Sequence, residues 1–393
     1  MPTDRNRCSV CAGGEFDLLH TQRFILPGDD RLQYDVSICR RCGFACARNI
    51  PSPEDYERYY SQNRKYAYEG SHNADPSLEK IHGDAFRMVD RHLVSLSSPT
   101  ATKRSVLDVG CSTGDLLSFF RRAGYENILG VDPSPVSREL AAKLYGVPVA
   151  IGSLYSFRPP EPFDVVLLSS VLEHLPDLDE ALESLRRLVR PGGIAFIQVP
   201  DADNFGADQR EPFLEFSIEH INFFNAKSLD ALLGRFGFRP LEIRPELLRF
   251  NDVSYPALSS LWVHDGAPRP WSGEVSDPAG LKAYVAQSRE KLDALSRRVE
   301  RLTETQEPVV VWGVGSLTAR LLADGNLASL NIVRFVDSNT SHHGKRLNGV
   351  EIRSPETLRG ERQTVFISTF VYGSAIRRVL EEDYRYEGRI VSL

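Results

Sequence analysis

Two groups of residues carry the reactive side chains of this sequence. Cys8, Cys11, Cys39, Cys42 and Cys46 fall within the first 46 residues, and Cys111 is the only other cysteine. CSVC and CRRC are paired Cys-x-x-Cys knuckles, a spacing that presents four thiolates to a tetrahedral Zn2+. The opening MPTDRNRCSV has no apolar leader, so a cytoplasmic, reducing setting and metal ligation are expected rather than disulfides. Four protein thiolates leave no open position for a substrate, which makes the zinc structural. Cys46 is expected to be a buried bystander. The second group is EFSIEHINFFN, 215–225, where Glu219 stands beside His220. An imidazole of pKa about 6.5 is mostly neutral at cytoplasmic pH and able to take a proton. The alternative is a core histidine bonded to main chain, with Phe223 and Phe224 filling the interior. If this stretch is a strand, Glu219 and His220 point to opposite faces, and the imidazole needs a partner from elsewhere. Asn222 is expected either to bind an acceptor oxygen or to cap a helix starting near Lys227.

Two glycine turns supply binding chemistry. In Asp108-Val-Gly110-Cys111-Ser112-Thr-Gly114, a carboxylate ends the strand before the turn, which repels a pyrophosphate and favours a cation. Asp132, in GVDPS, lies about 20 residues on, where an acid accepts hydrogen bonds from ribose hydroxyls. A ribose, a positive charge and no phosphate together describe S-adenosylmethionine. The later turn, Trp312-Gly313-Val-Gly315-Ser-Leu-Thr318, lacks the leading acid and has Thr in place of a third glycine. It is open to an anion such as a sugar nucleotide's diphosphate at the helix N-terminus, or is purely structural.

The elements that must hold these residues follow from periodicity. SVLDVG, NILGVD, FDVVLLSS and GIAFIQVP are apolar strands separated by amphipathic helices, the pattern of a parallel, doubly wound α/β sheet that binds ligands at its strand ends. A tyrosine-rich stretch at 57–72, with Tyr59, Tyr60, Tyr66 and Tyr68, is expected either to cover a ligand or to pack the zinc module onto the sheet. Periodicity fades around 250–280 among Pro and Gly. A helical stripe of Leu292, Leu295, Val299 and Leu302 follows, too short for a sustained coiled coil and expected to lie against its own domains. A second strand, glycine turn, helix and strand begins near 309. The expected domains are a zinc module at 1–55, a ligand-binding α/β domain with a helical lid at 56–250, a linker and long helix at 251–305, and a Rossmann-like domain at 306–393.

With 47 basic and 53 acidic residues, the net charge of −6 provides no field for nucleic acid. No apolar run is long enough to span a bilayer. A monomer or homodimer acting on a small molecule is expected.

The motifs LDVGCSTG, GVDPS, FDVVLLSSVLEHLPD and LVRPGGIAFIQVP resemble the class I S-adenosylmethionine-dependent methyltransferases, a doubly wound, Rossmann-like fold. The resemblance implies donor contacts from Asp108, Gly110, Cys111, Gly114, Asp132, Pro133, Ser169 and His174. Ser153 and the Leu154 backbone are the candidates near the adenine, where many members have an acid. The whole order of parts resembles the zinc-containing sugar C-methyltransferases of deoxysugar biosynthesis. That implies deprotonation of a nucleotide-linked 4-keto sugar by His220 with Glu219 beside it, and an acceptor held by Tyr66, Tyr68, Asn222, Gly313 and Gly315. The family's Tyr-x-Glu-His motif departs here to Ser217-Ile218-Glu219-His220. An O-methyltransferase of a sugar or other small metabolite is the alternative. A zinc-module binding protein with a degenerate methyltransferase core is the alternative of another class.

Overall fold

In a computed structural model, residues 5–52, 54–56, 76–97, 101–207, 210–250, 253–304 and 306–393 are described. Tyr59, Tyr60, Tyr66 and Tyr68 lie outside them. The cysteine-bearing segment folds as an antiparallel meander of β1 (Phe16–Ile25), β2 (Arg31–Cys39) and β3 (Ala45–Arg48). Gly28 and Asp29, both at positive φ, reverse the chain between β1 and β2.

Helix α1 (Pro76–Ser97) leads into the alternating unit. This runs β4 (Val106–Val109), α2 (Asp115–Arg122), β5 (Ile128–Asp132), α3 (Pro135–Tyr145), β6 (Val149–Ile151), β7 (Phe163–Ser169), α4 (Leu178–Leu188) and β8 (Val189–Pro200). A two-residue strand, β9 (Asn222–Phe223), crosses back to pair with β3, placing Cys46 opposite Asn222. Helix α5 (Ala226–Gly234) then precedes a hairpin of β10 (Phe238–Phe250) and β11 (Val253–His264). The sheet order is β10-β11-β8-β7-β4-β5-β6. The chain therefore leaves β4 in one direction to β5 and β6, and returns on its other side through β7 and β8. Ligands bind at such a switch point, beyond the carboxyl ends of β4 and β7.

The expected linker beginning at 251 is corrected here. Residues 253–264 are an interior strand of the sheet, paired with β8 and β10, and Trp262 is wholly buried in the core. A strand covered on both faces shows no alternation, and Pro256 inside VSYPALSSLWVH disguised it further.

The long helix is α6 (Ala279–Thr303). Its Leu281, Tyr284 and Val285 pack with Phe205, Phe213 and Phe216, while Leu295 and Val299 pack with Val309 and Val311 of the final unit, as the stripe predicts. That unit comprises β12 (Val309–Trp312), α7 (Ser316–Asp324), β13 (Ile332–Val336), β14 (Arg346–Leu347), β15 (Val350–Arg353), β16 (Thr364–Ile367), α8 (Gly373–Arg378) and β17 (Ile390–Ser392). Its order is β14-β15-β13-β12-β16-β17, parallel except at β14. Helix α7 lies against β1, so the final unit packs on the cysteine-bearing meander. No helix among the described residues is long and apolar enough to cross a membrane.

Candidate active site

The first glycine turn is shaped by residues that only small or left-handed backbone allows. Gly110 has φ +75, and a Cβ there would come within 2.8 Å of Val171 Cγ2. Gly114, at φ +81, starts α2, and its open face packs on Ala141 and Val147. Gly114 therefore shapes the turn without bordering the cleft. Asp132, at the end of β5, ties the turn to the next helix. Its Oδ2 accepts the Ser112 N–H at 3.0 Å, and its Oδ1 accepts the Ser134 N–H at 2.9 Å and the Ser137 hydroxyl at 2.8 Å.

Below this turn opens a cleft of about 710 Å³. Asp108, Gly110, Cys111, Asp132, Pro133, Ser153, Leu154, Ser169, His174, Glu219 and His220 all border it, from one end to the other. Leu78, Ile81 and His82 of α1 and Leu248, Tyr255 and Pro256 of the hairpin supply further walls that no motif announces. Burial, then the carboxylates of Asp132 and Asp115, push the Asp108 carboxyl well above its ordinary range. Burial also raises Asp132, although its three hydrogen bonds oppose this. Two buried acids with raised pKa values on a small-residue turn suit a cationic ligand bearing hydroxyls, and so fit S-adenosylmethionine.

At the other end stand Glu173, His174, Glu215, Glu219 and His220. The stretch 215–221 is a succession of turns and bends rather than a strand, and only Asn222 and Phe223 pair, as β9. The Ser217 hydroxyl accepts the N–H groups of both Glu219 and His220, which lets the two side chains share the cleft. His220 Nδ1 lies 3.2 Å from the Glu215 carbonyl and 3.6 Å from Glu215 Oε2. The carboxylate beside Nδ1 is therefore that of Glu215, five residues upstream, a partner from elsewhere in the chain. The Glu219 carbonyl instead faces His174 Nδ1 at 3.1 Å. A carbonyl only accepts, so both Nδ1 atoms carry protons, and each neutral ring keeps its lone pair at Nε2. The two rings stand edge to face, 5.0 Å apart. His174 thus joins the acceptor end rather than the donor turn.

Glu173 is 1% exposed, and neither carboxyl oxygen has a hydrogen-bond partner among the described residues. Burial pushes its carboxyl up to about 7, against the pull of His220. Burial disfavours a charged His220, but Glu215, Glu173 and Glu219 outweigh it and hold the imidazole above its ordinary value. Glu173, His174 and His220 bring one ligand atom each within 4.8 Å of one another, so the cluster can hold either a proton or a cation.

Asn222 is corrected as an acceptor contact. Its amide donates to the Leu172 and Leu175 carbonyls, both at 2.8 Å, and its oxygen accepts from Arg5 at 2.6 Å. It clamps the 172–175 turn, while the helix cap is Asn225. Gly313 and Gly315 do not border the cleft. Their turn is closed by Asp337, which accepts the Val314 N–H at 2.9 Å, and by Thr318, whose hydroxyl donates to the Gly313 carbonyl at 2.7 Å. Trp262 donates to Ser260 at 2.8 Å in the core and Trp271 lies beneath Arg41, so neither reaches the cleft. At the N-terminus, the four sulfurs of Cys8, Cys11, Cys39 and Cys42 lie within 4.8 Å of one another and form no disulfide, a geometry and donor set that fit zinc. Cys46 is buried outside this set.

Residues 81–243 match a family described as a methyltransferase domain. The chain carries a class I S-adenosylmethionine-dependent methyltransferase domain. Over 100 residues it is 35% identical to the dTDP-4-amino-2,3,4,6-tetradeoxy-D-glucose N,N-dimethyltransferase of Saccharopolyspora spinosa, covering 24% of this chain and 40% of that protein. A ubiquinone biosynthesis O-methyltransferase of Rhizobium etli is 37% identical over 98 residues, 23% of this chain and 39% of that protein. The chain thus spans about two fifths of these relatives' length. The C-methyltransferase NovU of Streptomyces niveus is 23% identical over 348 residues, 85% of this chain and 79% of that protein. Among solved structures, the Burkholderia thailandensis 1,6-didemethyltoxoflavin-N1-methyltransferase, with S-adenosylhomocysteine bound, aligns with a TM-score of 0.40 at 18% identity, over 56% of this chain and 95% of that one.

Proposed function

We propose that the protein methylates a nucleotide-linked deoxysugar at the carbon beside its ketone, with His220 as the base. The observation that carries this reading is the His220 tautomer: Nδ1–H is tied to the Glu215 carbonyl, so Nε2 holds a lone pair on a ring bordering the cleft that Asp108 and Asp132 share. S-adenosylmethionine, when bound, supplies an electrophilic methyl group on a sulfonium. His220 Nε2 takes the proton from the carbon next to the carbonyl and leaves an enolate. Glu215 and Glu173 stabilise the imidazolium so formed, and the hydrophobic walls from α1 and the hairpin keep water away. The two relatives named for sugar methylation support the substrate class. Structural zinc at the four cysteines completes the proposal.

Methylation of a hydroxyl is the second reading, favoured by Ser217. Its hydroxyl is occupied by two main-chain N–H groups and offers no phenol to an enolate. The test is incubation with a panel of 4-keto and hydroxy nucleotide sugars and labelled donor, with the label located by mass spectrometry. Loss of deuterium from the carbon beside the ketone without donor, absent in His220→Gln, supports the first reading. A methyl ether formed without exchange overturns it, and donor binding with no product from any acceptor favours a binding protein.

A further inference from the structure

Arg320 lies in α7 of the C-terminal Rossmann-like unit, with none of its surface exposed. Its Nε donates to Gln22 Oε1 at 3.3 Å, Nη1 to the Pro212 carbonyl at 2.9 Å, and Nη2 to the Phe213 and Phe216 carbonyls, each at 2.9 Å. The nearest carboxylate, Glu211, is 3.9 Å away and itself pushed up to about 7 by burial. Three main-chain carbonyls of one turn thus do most of the work of solvating a buried cation. Burying a guanidinium costs several kcal/mol before such contacts offset it, and an apolar side chain would join two domains more cheaply. The turn so held is strained, for Phe213 has φ +53.

Within that turn sits Glu215. Its N–H donates to the Tyr284 hydroxyl at 3.0 Å, and its carbonyl receives the His220 Nδ1–H. We propose that Arg320 is a positioning residue for methyl transfer: through the turn at 212–216 it aims the Glu215 carbonyl that fixes the His220 tautomer. The C-terminal unit thereby completes the acceptor end of a cleft to which it contributes no lining residue. This inference rests on His220 acting as the base.

The test compares full-length Arg320→Met, Arg320→Lys and Tyr284→Phe with the parent, all zinc-loaded. Imidazole 15N resonances, with His220 assigned by its absence in His220→Gln, report the tautomer directly. Loss of the Nδ1–H tautomer in the Arg320 variants is expected, with a milder change in Tyr284→Phe. Turnover should fall by up to about 10²-fold, as misplacement of a reacting group does, while donor affinity stays within about twofold. Lysine should not rescue, because one ammonium cannot reproduce the planar fork across three carbonyls. An unchanged tautomer in folded Arg320→Lys or Tyr284→Phe, or turnover that drops only with the folded fraction, overturns the proposal. If His220→Gln retains turnover, the base reading fails instead, whatever the Arg320 variants do.

Discussion

Replacing Glu173 by glutamine removes a charge from a nearly isosteric side chain, and its effect on stability should grow more favourable as pH rises. The carboxyl is 1% exposed, has no hydrogen-bond partner for either oxygen among the described residues, with His174 Nε2 3.8 Å from Oε1, and is carried from an ordinary 4.5 to about 7. A raised pKa in an acid means that the folded state binds the proton more tightly than the unfolded one. Stability therefore falls as pH rises through about 4.5, and the loss is complete above about 7. At 1.36 kcal/mol per pKa unit, the ionised carboxylate costs about 3 kcal/mol at pH 8.5 and about 1 kcal/mol at pH 5.5. The amide brings its own unmet hydrogen bonds, about 1–3 kcal/mol, but this term does not vary with pH. The diagnostic is thus the difference of about 2 kcal/mol between the two conditions. Urea unfolding of parent and Glu173→Gln at pH 5.5 and 8.5 measures it, with equal m-values required of both. A stability difference that is the same at both pH values would refute the reasoning and mean that the carboxylate is already compensated when folded.

Asp108→Asn should weaken binding of the cationic donor by about 10- to 100-fold at pH 8, the size of a hydrogen bond to a charged group. Because the parent Asp108 carboxyl must lose its proton to hold the cation, the parent's affinity should rise with pH, and calorimetry over a pH series should find that slope shallower in the variant. Metal analysis should return one zinc per chain, and Cys39→Ala should abolish it together with cooperative unfolding; a metal-free parent with unchanged melting would remove the zinc assignment.

The donor half of the site was legible because its chemistry is contiguous: an acid, a glycine turn and a second acid each lie on a strand end that the apolar pattern reveals. The acceptor half was not. His220 stood out by its type, but the group that fixes its tautomer is the Glu215 main-chain carbonyl, and a carbonyl has no signature in sequence. Asn222 and Asn225 lie three residues apart with the same side chain, and only packing decides that one clamps a turn while the other caps α5. Strand β11 escaped notice because burial on both faces erases alternation. Arg320 reads as one charge in an ordinary amphipathic helix, ARLLADG, until β1 and the 212–216 turn close around it.

Among the described residues, the outer edge of β3 is covered by β9 and by the Ile221 carbonyl, which accepts the Ala47 N–H at 2.8 Å, and both are made long after it. At about 5–20 residues per second, the ribosome needs roughly 10–30 s to deliver Asn222 once Arg48 has emerged. Throughout that interval the nascent chain carries an open row of amides and carbonyls, available to any neighbouring polypeptide. A lesion in the two residues of β9 should therefore appear first as poor recovery from expressing cells, and only afterwards, in the fraction that survives, as impaired chemistry.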